Sequence, residues 1–143
     1  KKRLYTKCKA VLVRKRAAAR PLSETIRKLN EIIKGWINYY KIGSMKLFID
    51  KFGQWLRHKV RVVIVKQWKK PKRIYLNLQK LNRMFKCNMT DEDIYKVANT
   101  RLGIYKQCAM NVMNFLLSPK VLAIPNRKRK RPGLIDPLAY YFS

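Results

Sequence analysis

Apolar residues recur at spacings of three and four along Ile26, Leu29, Ile33, Trp36 and Tyr40, which is one face of a helix. Ile32 and Ile37 widen that stripe, so the helix over residues 23–42 is expected to be well buried. Ser23 stands where an N-cap belongs, Glu24 suits the positive end of the helix dipole, and Gly43 is the expected stop. A second helix is expected from near Ser44 to Trp68, with Leu47, Phe48, Phe52, Trp55 and Leu56 as its buried face. Within it Val60, Val62, Val63, Ile64 and Val65 crowd together, and alone such a β-branched run reads as a strand. The helical period before it and the lack of breakers favour one long helix.

After Pro71, Ile74, Leu78, Leu81 and Phe85 mark a third helix that Asn88 ends. Thr90 then caps a fourth, whose first turn holds Asp91, Glu92 and Asp93; Arg101 and Gly103 close it. A last helix is expected over residues 104–117, with Tyr105, Ala109, Val112 and Leu116 on one face. At the other end, Ala10-Val11-Leu12-Val13 reads equally as a strand or the start of a helix. The run Arg127-Lys128-Arg129-Lys130-Arg131 lies between prolines, and the apolar stretch 134–142 is of the kind that docks back on a core. The expected fold is all-α: a small helical bundle with a basic N-terminal segment (1–21), a helical domain (22–118) and a basic, Pro-containing C-terminal tail (119–143).

Charge narrows the partner. The 143 residues hold 35 Lys or Arg against 7 Asp or Glu, a formal net charge of +28. Residues 1–20 alone carry nine of those cations and no acid. Such a chain repels itself unless a polyanion neutralises it, yet 48% of it is apolar, so it is a folded domain and not a disordered tail. Nucleic acid leads; a membrane partner is not expected, because no run of ~18 apolar residues could span one. No signal-peptide pattern is present. The opening Lys1-Lys2-Arg3, without methionine, reads as that of an excised fragment or a processed chain.

Catalytic chemistry finds little footing. Two-metal phosphoryl chemistry needs paired carboxylates, and the cluster at 91–93 is explained by helix capping. Cys8, Cys87 and Cys108 lack zinc-site spacing and read as free thiols, so no metal site is expected. His58, the single histidine, sits in a cationic run, and scattered glycines form no phosphate loop. Binding chemistry is better supplied. Lysines and arginines share elements with Tyr39, Trp68 and Tyr75, which suits phosphate neutralisation with stacking on bases. Trp36, Tyr40 and Trp55 lie on apolar stripes and are expected in the core. Trp68, flanked by Lys66, Lys69 and Lys70, suits core and RNA contact alike. Arg127, Lys128 and Arg129 read as phosphate contacts, a nuclear address being the other use of such a run. A helix-turn-helix over 90–117 is disfavoured, because its second helix is too apolar to read a groove.

The order of two motifs is distinctive: Leu29-Asn30-Glu31-Ile32-Ile33-Lys34-Gly35-Trp36-Ile37-Asn38-Tyr39-Tyr40, then Trp55-Leu56-Arg57 with Arg61 and Lys66-Gln67-Trp68-Lys69-Lys70-Pro71. Together with Ala98-Asn99-Thr100-Arg101-Leu102-Gly103-Ile104-Tyr105 and the ending at 134–141, they resemble the thumb and maturase-specific region (domain X) of group II intron-encoded reverse transcriptase/maturases. Tyr105 departs from the tryptophan usual there, and 120–132 is more basic than the family pattern. The resemblance implies a domain that grips template–primer duplex beside a palm and binds intron RNA in its splicing-active fold, the transesterifications belonging to the RNA. It implies phosphate contacts at Arg57, Arg61, Lys66, Lys69, Lys70 and Arg73, with Trp68 as a packing or stacking anchor. Residues 1–21 would then be the junction to a palm. No cofactor is expected in this chain; Mg2+ would serve the parent's polymerase site and the intron RNA. The implied partners are intron RNA, template–primer duplex and the fingers and palm. The location would be the bacterial cytoplasm, or an organelle in a eukaryote, and the parent would be the kind that lacks an endonuclease. A basic helical module that binds nucleic acid without intron specificity is the alternative.

Overall fold

In the computed structural model, which describes residues 2–40 and 44–143, the β-branched run at 60–65 continues a helix. That helix, α4 (Lys46–Trp68), follows α1 (Lys2–Val11), α2 (Arg14–Ala19) and α3 (Leu22–Tyr40). It precedes α5 (Pro71–Phe85), α6 (Asp91–Ala98), α7 (Ile104–Gln107), α8 (Asn111–Leu116), α9 (Pro119–Ala123) and α10 (Pro137–Phe142). Among the described residues there is no β-strand, only an isolated bridge between Asn126 and Arg131. The fold is the expected all-α bundle.

Every residue from Val60 to Val65 is buried. Six consecutive positions exceed one helical turn, so this part of α4 is enclosed on all sides. That explains why the run lacks amphipathic period: α4 packs on α2, α5, α7 and α10 at once. Burying each of the five aliphatic side chains there contributes about 1.5–3 kcal/mol, more than the propensity deficit of a β-branched residue in a helix.

The N-terminal segment is helical and belongs to the core. Leu4, Cys8, Leu12 and Ala17 are buried, α1 packs on α3, and α2 packs on α4. Tyr5 sets its ring edge-on against Phe52 and Trp55 at 5.3 and 4.9 Å. The expected boundary at 21 therefore separates no independent unit.

Other expectations shift by small amounts for local reasons. The third helix begins at Leu22, which puts Ser23 inside the first turn and not at the cap. The proposed stop at Gly43 lies outside the described residues, as does the end of that helix at Ile42. On α4, Leu47 is 77% exposed and Ile49 is buried in its place. Tyr40, expected in the core, is 45% exposed, while Trp36 and Trp55 are half-buried against it. Thr90 does cap α6, its Oγ1 accepting from Asp93 N at 3.1 Å.

The expected single helix over 104–117 is two. Met110 adopts an extended backbone (φ −69°, ψ 149°) between α7 and α8. The break buries Gln107 and Cys108 together with Met113, Leu116 and Leu117, and leaves Tyr105 and Ala109 outside. It also lets Gln107 Nε2 donate to Val97 O at 2.9 Å, adding a bond at the C-terminal end of α6.

The C-terminal segment docks on α3 and α4. Asn30 Nδ2 donates to Gly133 O at 2.9 Å, and Asn30 Oδ1 accepts from Ile135 N at 3.0 Å. Tyr140 Oη donates to Asn38 Oδ1 at 3.0 Å, and Met45 N donates to Tyr141 Oη at 3.2 Å. Gly133 is required by close approach: a Cβ there would sit 1.8 Å from the Ala123 carbonyl oxygen.

Candidate nucleic-acid interface

The corner between α4 and α5 is built by the sequence Lys66-Gln67-Trp68-Lys69-Lys70-Pro71. Lys69 ends α4 in a positive-φ conformation (φ 69°), its N–H still bonded to Val65 O at 3.2 Å. Lys70 is extended, as a residue before proline prefers, and Pro71 opens α5 at a position where no N–H is needed. The turn leaves Lys66, Lys69, Lys70, Lys72 and Arg73 exposed. Five cations within eight residues, with no acid in the first turn of α5, make a concentrated positive surface at the positive end of a helix dipole. Trp68 is half-buried and packs against the core, leaving part of the indole at this surface.

Gln67 does what the sequence reading did not foresee. Its Nε2 donates to Ala17 O at 3.1 Å and to Arg20 O at 2.9 Å, tying the end of basic α2 to the end of α4. The only sequence signal is a polar residue inside an apolar and cationic stretch.

Arg57 and Arg61 lie one turn apart and do line one cleft of about 420 Å³, with Gln54, His58, Ala109, Asn114 and Pro119. Phosphate contact was expected of both; in the structure both are engaged by protein groups. Arg57 Nη1 pairs with Asp136 Oδ1 at 3.6 Å across to the docked tail. Arg61 is buried, with Nε donating to Leu117 O at 2.8 Å and Nη1 to Asn114 Oδ1 at 2.9 Å. Burial first, and the neighbouring Arg57 second, lower its guanidinium from its ordinary value to about 10, so it remains a cation at neutral pH. It closes the C-terminal end of α8, where helix carbonyls lack partners. His58 is held in the same way, Nε2 donating to the Tyr105 carbonyl at 2.9 Å. Tyr75 is also engaged, its hydroxyl accepting from Gln79 Nε2 at 2.8 Å and its ring edge-on to Tyr95. Tyr39, by contrast, is 78% exposed.

Arg127, Lys128 and Arg129 are exposed in a tight turn. Asn126 and Arg131 exchange backbone bonds of 2.8 and 2.9 Å, and Asn126 Oδ1 accepts from Arg129 N at 3.3 Å. The structure thus gathers two exposed cationic groups, at 66–73 and 127–130, and withdraws Arg57 and Arg61 from them. No group of three or more His, Cys, Asp or Glu that could hold a metal occurs among the described residues, and none of their helices is long and apolar enough to cross a membrane.

Comparison with known families agrees with this arrangement. Comparison with curated proteins returned no match. The family model for the group II intron maturase-specific domain matches residues 1–85, which span α1 to α5 and include the 66–73 corner. With 85 of its 143 residues in that match, the chain belongs to the group II intron maturase-specific domain family.

Proposed function

We propose that this domain binds the RNA of a group II intron through the α4–α5 corner and holds that RNA in its splicing-active fold. One observation carries the reading: the segment that matches the maturase-specific domain displays Lys66, Lys69, Lys70, Lys72 and Arg73 on a single turn. These groups neutralise phosphates, and Trp68 offers a surface beside them on which a base or sugar can pack. Arg127, Lys128 and Arg129 add contacts from the second cationic group. A-form RNA shows proteins its backbone and 2′-hydroxyls, so recognition by shape and spacing of charge fits this surface better than base readout. The splicing chemistry remains the RNA's own, with Mg2+ bound to the RNA. In a parent carrying fingers and palm, the same domain would act as the thumb against template–primer duplex. The setting would be a bacterial cytoplasm or an organelle.

Competition binding tests the reading. Folded intron RNA should survive excess tRNA and duplex DNA at physiological salt. Lys69→Gln/Lys70→Gln should flatten the dependence of log affinity on log salt by about two. Equal displacement by all three nucleic acids would reduce the domain to a basic module without intron specificity.

A further inference from the structure

A cleft of about 520 Å³ opens between α3 and the turn at 126–131, lined by Arg27, Asn30, Glu31 and Lys34 on one side and by Pro125, Asn126, Arg127, Lys130, Arg131 and Pro132 on the other. Its size falls in the ~300–1,000 Å³ range of ligand sites, but its walls are cationic where such sites are ordinarily apolar. Arg27, Lys34, Arg127, Lys130 and Arg131 face one carboxylate, Glu31, a surplus of four positive charges. None of these five side chains makes a hydrogen bond or ion pair among the described residues. The ion pairs there join Lys28 to Glu24, Arg57 to Asp136 and Lys96 to Glu92, and leave Glu31 aside.

The turn holds its charges together against their repulsion. Four successive cations occupy 127–130, closed by the Asn126–Arg131 bridge, with Lys130 in the left-handed region (φ 51°) and Lys130 N bonded to Arg127 O at 3.2 Å. A non-glycine residue at positive φ and a cluster of like charges both cost stability, and such costs collect where a ligand repays them. Arg131 is the least exposed of the five. Burial, with Arg129 second, holds its guanidinium below the ordinary value, so a bound anion would relieve a cost the free protein carries. Asn30 fixes the geometry, since its bonds to Gly133 and Ile135 clamp the segment after the turn onto α3.

We propose that this cleft is a second RNA site, which seats the sugar–phosphate backbone of a strand between Arg27 and Lys34 of α3 and Arg127, Lys130 and Arg131 of the turn. The assignment rests on the RNA reading above and extends it, because half of the site lies beyond the family-matched residues 1–85. Arginine suits the role, since its planar fork can hold two phosphate oxygens at once.

The test uses the full chain and folded intron RNA, with affinity measured from 50 to 200 mM salt. Removing two phosphate contacts by Arg27→Gln/Arg131→Gln should shrink the affinity lost over that range by about tenfold. Glu31→Gln should tighten binding, whereas Glu92→Gln on distant α6 should not, a sign that general loss of structure cannot produce. Without any substitution, Lys34 and Lys130 should be protected from acylation by bound RNA while Lys96, beside the acidic start of α6, stays reactive. An unchanged salt response in Arg27→Gln/Arg131→Gln, with Lys69→Gln/Lys70→Gln still weakened, overturns the cleft and leaves the RNA reading standing. No binding of intron RNA by the unmodified chain overturns both. Equal protection of Lys34 and Lys130 by duplex DNA overturns the assignment to RNA.

Discussion

Replacing Arg61 by methionine separates a structural arginine from a ligand-binding one. Arg61 donates to Leu117 O at 2.8 Å and to Asn114 Oδ1 at 2.9 Å from a buried position. Bonds from a charged donor contribute about 1.5–3 kcal/mol each, so the pair is worth roughly 3–6 kcal/mol. Against this stands the cost of burying the cation. Its depression from the ordinary arginine value to about 10 corresponds to about 3 kcal/mol. Because the folded value is the lower one, that cost is fully present below pH 10 and is relieved only as the pH climbs from there toward the ordinary arginine value. Methionine keeps most of the aliphatic volume, loses both bonds and removes the buried charge, which leaves a net destabilisation of about 0–3 kcal/mol at pH 7. Urea unfolding followed by circular dichroism reads that loss. RNA affinity of the folded variant should match that of the unmodified chain. A variant of unchanged stability whose RNA binding falls as far as that of Lys69→Gln/Lys70→Gln would refute the reasoning.

Gly133→Ala should unseat the C-terminal segment, because its Cβ would meet the Ala123 carbonyl oxygen at 1.8 Å and neither backbone can yield cheaply. We expect a loss of about 1–3 kcal/mol and faster tryptic cleavage at 127–131, checked by unfolding and limited proteolysis. Burial pushes the Cys8 thiol from 9.0 up to about 12. The unfolded chain therefore ionises first, and the Cys8 contribution to stability should fall between pH 9 and 12 by at most about 1.4 kcal/mol per pH unit, read as the difference in pH dependence between the unmodified chain and Cys8→Ala. In alkylation at pH 8, half-exposed Cys87 should react well before buried Cys8 and Cys108.

Much of the bundle is legible in the chain because its helices announce themselves by period and punctuation. α3 and α5 carry regular stripes, Thr90 caps α6 and Pro71 opens α5. The run at 60–65 is legible only through its flanks, since a helix enclosed on every side has no polar face to set a period. The split at Met110 is not legible, because it is decided by Gln107 reaching the carbonyls of Val97 and Ala98, a tertiary contact with no local signal. The same limit applies to the interface. Exposed lysines of the α4–α5 corner follow from local turn chemistry. Arg61 looks identical to them in sequence, and only the position of Leu117 and Asn114 makes it structural. Arg27, Lys34 and Arg131 are unremarkable along the chain. The clamp that Asn30 makes on the tail is what brings them to one cleft.

The most direct test of intron recognition is the state of the RNA itself. Backbone accessibility of a group II intron would be mapped across a Mg2+ titration, with and without this protein at saturation. The account predicts that the compact, protected fold appears at lower Mg2+ when the protein is bound, and that Lys69→Gln/Lys70→Gln abolishes the shift. Saturating binding with an unchanged Mg2+ midpoint would contradict it.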